Sequence, residues 1–195
     1  MNIARRSRPK TGALPTGPAL DRYGSVDMAR QLWLLRHGDA EPHGARPDFD
    51  RHLTDRGRDE AAAAGHALRA LEVEFASVLT SPKLRAAETA HLAAGAWGGT
   101  VQERQLLASG LTAPDALDLL AEEDADARIL LVGHEPDLSR TVGDLTGARI
   151  DLKKGGLAVV RAHGASGELM RLLRPSDLKL IAGEARFSER PLRLR

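Results

Sequence analysis

Two histidines and two arginines stand where short apolar runs give way to glycine or proline. They fall in Arg36-His37-Gly38, in Ser81-Pro82-Lys83-Leu84-Arg85 and in Gly133-His134-Glu135-Pro136. A neutral imidazole is a competent nucleophile near neutral pH, because its ordinary pKa is about 6.5. It can take a phosphoryl group and so divide one hard step into two. Its second ring nitrogen must then hold a proton, and a backbone carbonyl in the Gly38 turn is placed to receive it. Arginine offers a planar fork that matches phosphate oxygens. Arg36 and Arg85 would steady the equatorial oxygens during transfer, and His134 would donate a further hydrogen bond. Such a cluster supplies its own positive charge, so no divalent metal or other cofactor is needed.

The surrounding pattern brings these residues together. Gln31 to Leu35, Phe75 to Thr80 and Arg128 to Val132 read as buried strands. Each ends at one of the three sites, and ligand sites in open α/β sheets collect at the carboxyl ends of strands. Helical apolar spacing runs from Thr54, placed as an N-cap, to Leu71. Ser81-Pro82 reads as an N-cap and first helical position for a helix to about Ala94, with Arg85 in its first turn. A short extended piece follows near Val101. Ala113 to Ala121 and Pro136 to Leu145 read as helices, the second stopped by Gly147. Leu157 to His163 and Glu168 to Leu173, joined by Gly164-Ala165-Ser166-Gly167, read as a hairpin. The order predicts an α/β fold, a helix-covered and mostly parallel sheet with antiparallel strands at one side.

The chain has 195 residues, enough for one domain with tails. Residues 1–29 hold Pro9, Pro15 and Pro18 among scattered charges, with no apolar period, and read as a disordered arm. Met28, just before the first strand, would give a tidy start. Residues 30–175 form the expected domain. Residues 176–195 form a tail, with a short helix over Ser176 to Ile181 and an irregular basic stretch from 183. The net charge of +1 argues against a nucleic-acid partner. No apolar run reaches the roughly 20 residues of a membrane helix. The absence of cysteine is consistent with a cytoplasmic protein.

Leu34-Leu35-Arg36-His37-Gly38-Asp39-Ala40 resembles the signature of the histidine phosphatase (phosphoglycerate mutase-like) superfamily. Leu53-Thr54-Asp55-Arg56-Gly57, the stretch from Ser81 to Ala90 and Val132-Gly133-His134-Glu135-Pro136 resemble its other motifs, in order. The resemblance covers about residues 31–162. It implies a three-layer α/β/α sandwich, His37 as nucleophile, and Arg36, Arg85 and His134 as phosphate ligands. The opening Arg-His-Gly-Asp-Ala-Glu-Pro looks closest to the SixA-like branch. That implies phosphohistidine on a protein, such as a phosphotransfer domain, as substrate.

The resemblance also implies a glutamate general acid after the arginine helix. Glu103 is the only acid between Val101 and Ala108, and Asp39 and Glu41, nearer the nucleophile, are alternatives. A labile P–N bond needs less acid catalysis than an alkyl ester, which favours phosphohistidine. A small phosphoester is the second enzymatic reading, and a non-catalytic phospho-binding module the third. The remaining histidines read as surface or packing residues.

Overall fold

A computed structural model describes residues 30–188; the expected arm over 1–29 and the last seven residues lie outside them. Six strands form one sheet: β1 (Gln31–Arg36), β2 (Ser77–Thr80), β3 (Val101–Glu103), β4 (Arg128–Gly133), β5 (Leu157–His163) and β6 (Ser166–Leu173). Their order is β3-β2-β4-β1-β5-β6. β1, β2, β3 and β4 run parallel, while β5 pairs antiparallel with both β1 and β6. Five helices cover the sheet: α1 (Asp55–Ala70), α2 (Leu84–Ala94), α3 (Ala113–Ala121), α4 (Asp137–Thr146) and α5 (Pro175–Ser188).

Strand alternation divides the core into two layers. Leu32 and Leu34 of β1, with Ile129 and Leu131 of β4, pack against Ala116, Leu119 and Leu120 of α3 and Leu138, Val142 and Leu145 of α4. Trp33, Leu35, Leu130 and Val132 point the other way, onto alanines of α1 and α2 and Leu178 and Ala182 of α5. The result is the expected mostly parallel α/β/α arrangement, and both faces of β1 and β4 are apolar because both are covered. No helix of the described residues is long and apolar enough to cross a membrane.

Several boundaries differ from the sequence expectation. The α2 helix opens at Leu84, with Lys83 as N-cap residue in an extended conformation, while the Ser81 hydroxyl still accepts from the Lys83 N–H (3.1 Å) and contacts His134. The hairpin loop shrinks to Gly164-Ala165, with Gly164 at φ 60°, and His163 pairs with Ser166. A two-residue turn with positive φ matches the twist of its strands better than a four-residue loop. The stretch expected to be irregular from 183 is helical to Ser188, and α5 is held to the core by Leu178 and Ala182.

Two glycines bring the end of β1 against the start of α1. A Cβ on Gly57 would lie 1.9 Å from the Asp39 carbonyl oxygen, and one on Gly38 would lie 2.5 Å from the Gly57 carbonyl oxygen. Thr54 caps the same turn, accepting from the Gly57 N–H at 3.1 Å. The Gly57→Ala variant gains less than about 1 kcal/mol of helix propensity. It must push two backbone segments apart, a clash that costs about 1–3 kcal/mol. The expected net outcome is a Tm lower by several degrees, at about 2–4 °C per kcal/mol for a chain of this size, read by thermal denaturation.

Candidate active site

The carboxyl ends of β2, β4 and β1 lie side by side and deliver the candidate residues to one place. Arg36 is in register with Gly133, and the His37 N–H donates to the Gly133 carbonyl at 3.1 Å. The Ser81 N–H donates to the Val132 carbonyl at 3.0 Å, so the third segment follows the same edge. The turn carrying His37 is pinned on all sides. Gly155 N–H reaches the carbonyls of Arg36 (3.1 Å) and His37 (3.0 Å). Gly38 N–H donates to Thr89 Oγ1 (3.1 Å), and Asp39 N–H donates to Glu60 Oε2 (3.0 Å).

His37 Nδ1 stands 2.7 Å from the Gly38 carbonyl oxygen. A carbonyl only accepts, so Nδ1 carries the proton and Nε2 keeps its lone pair. Arg85 Nε–H donates to that lone pair at 3.2 Å. The His134 ring lies 5.0 Å from the His37 ring, centroid to centroid. His134 Nε2 contacts Ser81 Oγ at 2.8 Å. Ser81 Oγ accepts from the Lys83 N–H and retains a proton and a second lone pair, so it can donate to Nε2 or accept from it. His134 Nδ1 is buried and without a partner among the described residues. Arg36 spends Nη1 on the Leu152 carbonyl (2.8 Å), and its buried Nε is also without a partner. An oxyanion among these groups would satisfy the Arg36 Nε–H, and His134 Nδ1 in the tautomer that protonates it.

His37, Arg85 and His134 are buried, and burial acts against charge on the imidazoles. Burial, with Arg85, Arg36 and Lys154 nearby, lowers His37 to about 3 despite the Gly38 carbonyl, which favours its protonated form. Burial lowers His134 to about 2, helped by His37, Arg85 and Lys83 and opposed by Asp48. Both rings are therefore neutral at physiological pH, as a nucleophile requires.

The carboxylates are distributed differently. Asp39 is tied to Lys154 Nζ (2.7 Å) and Thr54 Oγ1 (3.0 Å), and these hydrogen bonds hold it below the usual carboxylate range, Lys154 first. Glu41 accepts from the His52 N–H (2.9 Å) and is likewise lowered, by that bond first. Both are committed bases rather than proton donors. Glu103 is exposed at the end of β3, in register with Thr80, one residue before Ser81. Glu135 is raised by burial, with one carboxyl oxygen buried and unpartnered.

Three residues that sequence reasoning passed over join the site. Lys83 Nζ lies 3.1 Å from Asp48 Oδ2, and Asp48 also meets Arg85 and Arg51. The sequence shows there only an Asp-Phe-Asp-Arg cluster in the loop after His37, which names none of these partners. Among the described residues no three His, Cys, Asp or Glu side chains group as a metal site.

Known proteins bear on this arrangement. The model of the histidine phosphatase superfamily (branch 1) matches residues 32–109. An uncharacterized protein of Picosynechococcus is 36% identical over 143 residues, 69% of this chain and 87% of that protein. A 2,3-bisphosphoglycerate-dependent phosphoglycerate mutase of Mesorhizobium japonicum is 32% identical over 165 residues, 71% of this chain and 78% of the mutase. The chain belongs to the histidine phosphatase superfamily. Within it, the structure of the protein histidine phosphatase SixA complexed with tungstate superposes with a TM-score of 0.69 at 26% identity, covering 76% of this chain and 99% of that one. The segment matched by the superfamily model holds Arg36, His37 and Arg85; His134 lies beyond it and is joined to them by the strand register.

Neutral buried histidines make stability depend on pH. The unfolded imidazoles have the ordinary value of 6.5, and the folded ones lie far below it. Below that value the unfolded chain binds more protons. Their contribution is therefore complete above about pH 6.5 and is lost as pH falls toward about 3, at about 1.4 kcal/mol per pH unit for each imidazole. His134→Gln should flatten the acid limb of urea-unfolding free energy relative to the parent. Parallel limbs would contradict a neutral, buried His134.

Proposed function

We propose that this chain is a metal-independent phosphatase that passes a phosphoryl group through His37 to water, with phosphohistidine on a protein as substrate. The observation that carries the reading is the state of His37. Its Nδ1–H is committed to the Gly38 carbonyl, and its Nε2 lone pair faces Arg85, beside the buried, unpartnered Nδ1 of His134.

Chemistry follows from those positions. The phosphoryl group enters between Arg36, Arg85 and His134, whose N–H groups contact its equatorial oxygens. His37 Nε2 attacks phosphorus while the bond to the leaving atom breaks, and the charge shifting onto the oxygens meets donors already oriented. Positive charge comes from arginines and lysine, so the step needs no metal. A water molecule then attacks the phosphohistidine, and the lone pair returns to Nε2.

The leaving group decides between substrates. Asp39 and Glu41 are held ionised. An alkoxide would need a strong internal acid, whereas the imidazole of a phosphohistidine leaves with a proton that solvent has already supplied. The likeness to SixA, named as a protein histidine phosphatase, supports the same choice. The absence of cysteine suits a cytoplasmic setting for such a partner. The phosphoglycerate mutase relative favours a second reading, a small phosphoester, with Glu103 as proton donor.

Three substrates separate these readings: a chemically phosphorylated histidine protein, p-nitrophenyl phosphate and a panel of sugar phosphates. The expected outcome is fastest turnover of the phosphohistidine protein, and an acid-labile phosphoenzyme on brief incubation. His37→Ala should abolish both, lowering turnover by roughly 10³-fold or more. Turnover that survives it would sink the nucleophile assignment. Binding of phosphoprotein without turnover would make the chain a recognition module. Glu103→Gln should leave the P–N substrate unaffected; a selective loss on phosphoesters would support the second reading.

A further inference from the structure

The loop between β1 and α1 does more than connect them. Its neck is closed by the Ala40–Leu53 bridge and by the Glu41 N–H donating to the His52 carbonyl at 2.9 Å. Buried Arg51 ties the neck to the tip: Nη1 donates to the Glu41 carbonyl (2.7 Å), while Nε and Nη2 donate to Asp48 Oδ1 (3.1 and 2.7 Å). Asp48 opens a single 3-10 turn, Asp48–Asp50, which folds back onto α2. There Arg85 Nη1 donates to the Asp48 carbonyl at 2.6 Å and Nη2 to Oδ2 at 3.3 Å.

We propose that Asp48 is the positioning residue for Arg85: it occupies the two distal guanidinium nitrogens and thereby fixes the Nε–H edge toward His37 Nε2. The inference rests on the phosphatase reading above. A guanidinium is planar, so engaging one end determines where the other edge points. With its outer end on Asp48, Arg85 meets a phosphoryl group side-on, through Nε–H and the second proton of Nη2. Arg51 holds Asp48 in turn, and the two arginines repel each other across it. Without the carboxylate, Arg85 keeps only the Nη1 bond to the Asp48 backbone carbonyl, beside a like charge, and its fork is free to swing about that single contact. Lys83, 3.1 Å from the same carboxylate, shares this anchor. Preorganised donors owe their effect to orientation, and a misplacement of about 1 Å costs up to about 100-fold in rate.

The test is a mutant cycle on p-nitrophenyl phosphate, with orthovanadate inhibition as a measure of oxyanion binding. Asp48→Ala should lower kcat by about 10–100-fold and weaken vanadate binding, since the same Arg85 donors hold both. Asp48→Asn restores an amide oxygen that can accept from Nη2, so it should recover part of that loss. In an Arg85→Lys background, which has no fork to orient, Asp48→Ala should cost less than about threefold more, since residues acting through one another are not additive. If Asp48→Ala fails to fold, Asp48→Asn takes its place in the cycle with the same expected coupling. An unchanged or faster kcat in Asp48→Ala would overturn the proposal and make the carboxylate a competitor for the substrate's seat. Fully additive losses would overturn it too, leaving Asp48 as a loop tether. A parent enzyme with neither turnover nor phosphoenzyme would overturn both this and the phosphatase reading. A normal parent with an unaffected Asp48→Ala would strike this inference alone.

Discussion

The hydrogen bond from His37 Nδ1 to the carbonyl of its own neighbour, Gly38, governs the pocket. It fixes the tautomer, turns the ring and directs the Nε2 lone pair at Arg85. The carbonyl can do this only while the Gly38 peptide keeps its orientation. The N–H of that peptide is Asp39's and donates to Glu60 Oε2, the preceding peptide is held through the Gly38 N–H by Thr89, and the Gly57 backbone fills the space where a side chain of residue 38 would be. Thr89 Oγ1 in turn donates to the Arg85 carbonyl at 2.7 Å. The α2 helix therefore holds the arginine and the peptide just before this carbonyl, while α1 holds the carbonyl's own peptide through Glu60.

Electrostatics in the pocket follow from burial. Arg36, Arg85, Lys83 and Lys154 crowd two imidazoles, which respond by staying neutral rather than adding to the charge. Carboxylates sit at the periphery as counter-charges. Asp48 serves Lys83, Arg51 and Arg85, and Asp39 serves Lys154. Burial pulls the Asp48 carboxyl upward, but hydrogen bonds from Arg51 and Lys83 and the charges of Arg85 and Lys83 hold it well below the usual range. An arriving dianion thus meets a field that is positive at its centre and balanced at its edge.

Much of this was legible beforehand. Arg36, His37, Arg85 and His134 could be picked out because each follows an apolar run of strand length, and the parallel order of such runs brings their ends together. The Gly38 carbonyl could be named because it is local to its partner. Asp48 was not legible, because its partners are Arg51, three residues away, and Arg85, thirty-seven away in another helix; no periodicity links a loop to a helix start. The start of α2 was also misread. Ser81-Pro82 has the local chemistry of a helix cap and Ser81 does accept from the Lys83 N–H, but Lys83 is extended and the helix begins one residue later. The extent of α5 was hidden too, since its hold on the core through Leu178 and Ala182 is tertiary.

The position of β4 has a further consequence. It lies between β2 and β1, although it follows both in sequence by tens of residues. His37 and Arg85 are both encoded before it, yet the floor beneath them is the Val132-Gly133 backbone, to which Ser81 and His37 are bonded. Gly155, later still, closes the other side of the same turn. During synthesis, therefore, His37 and Arg85 emerge from the ribosome well before the backbone that aligns them, and the pocket is complete only once β4 and Gly155 have been made.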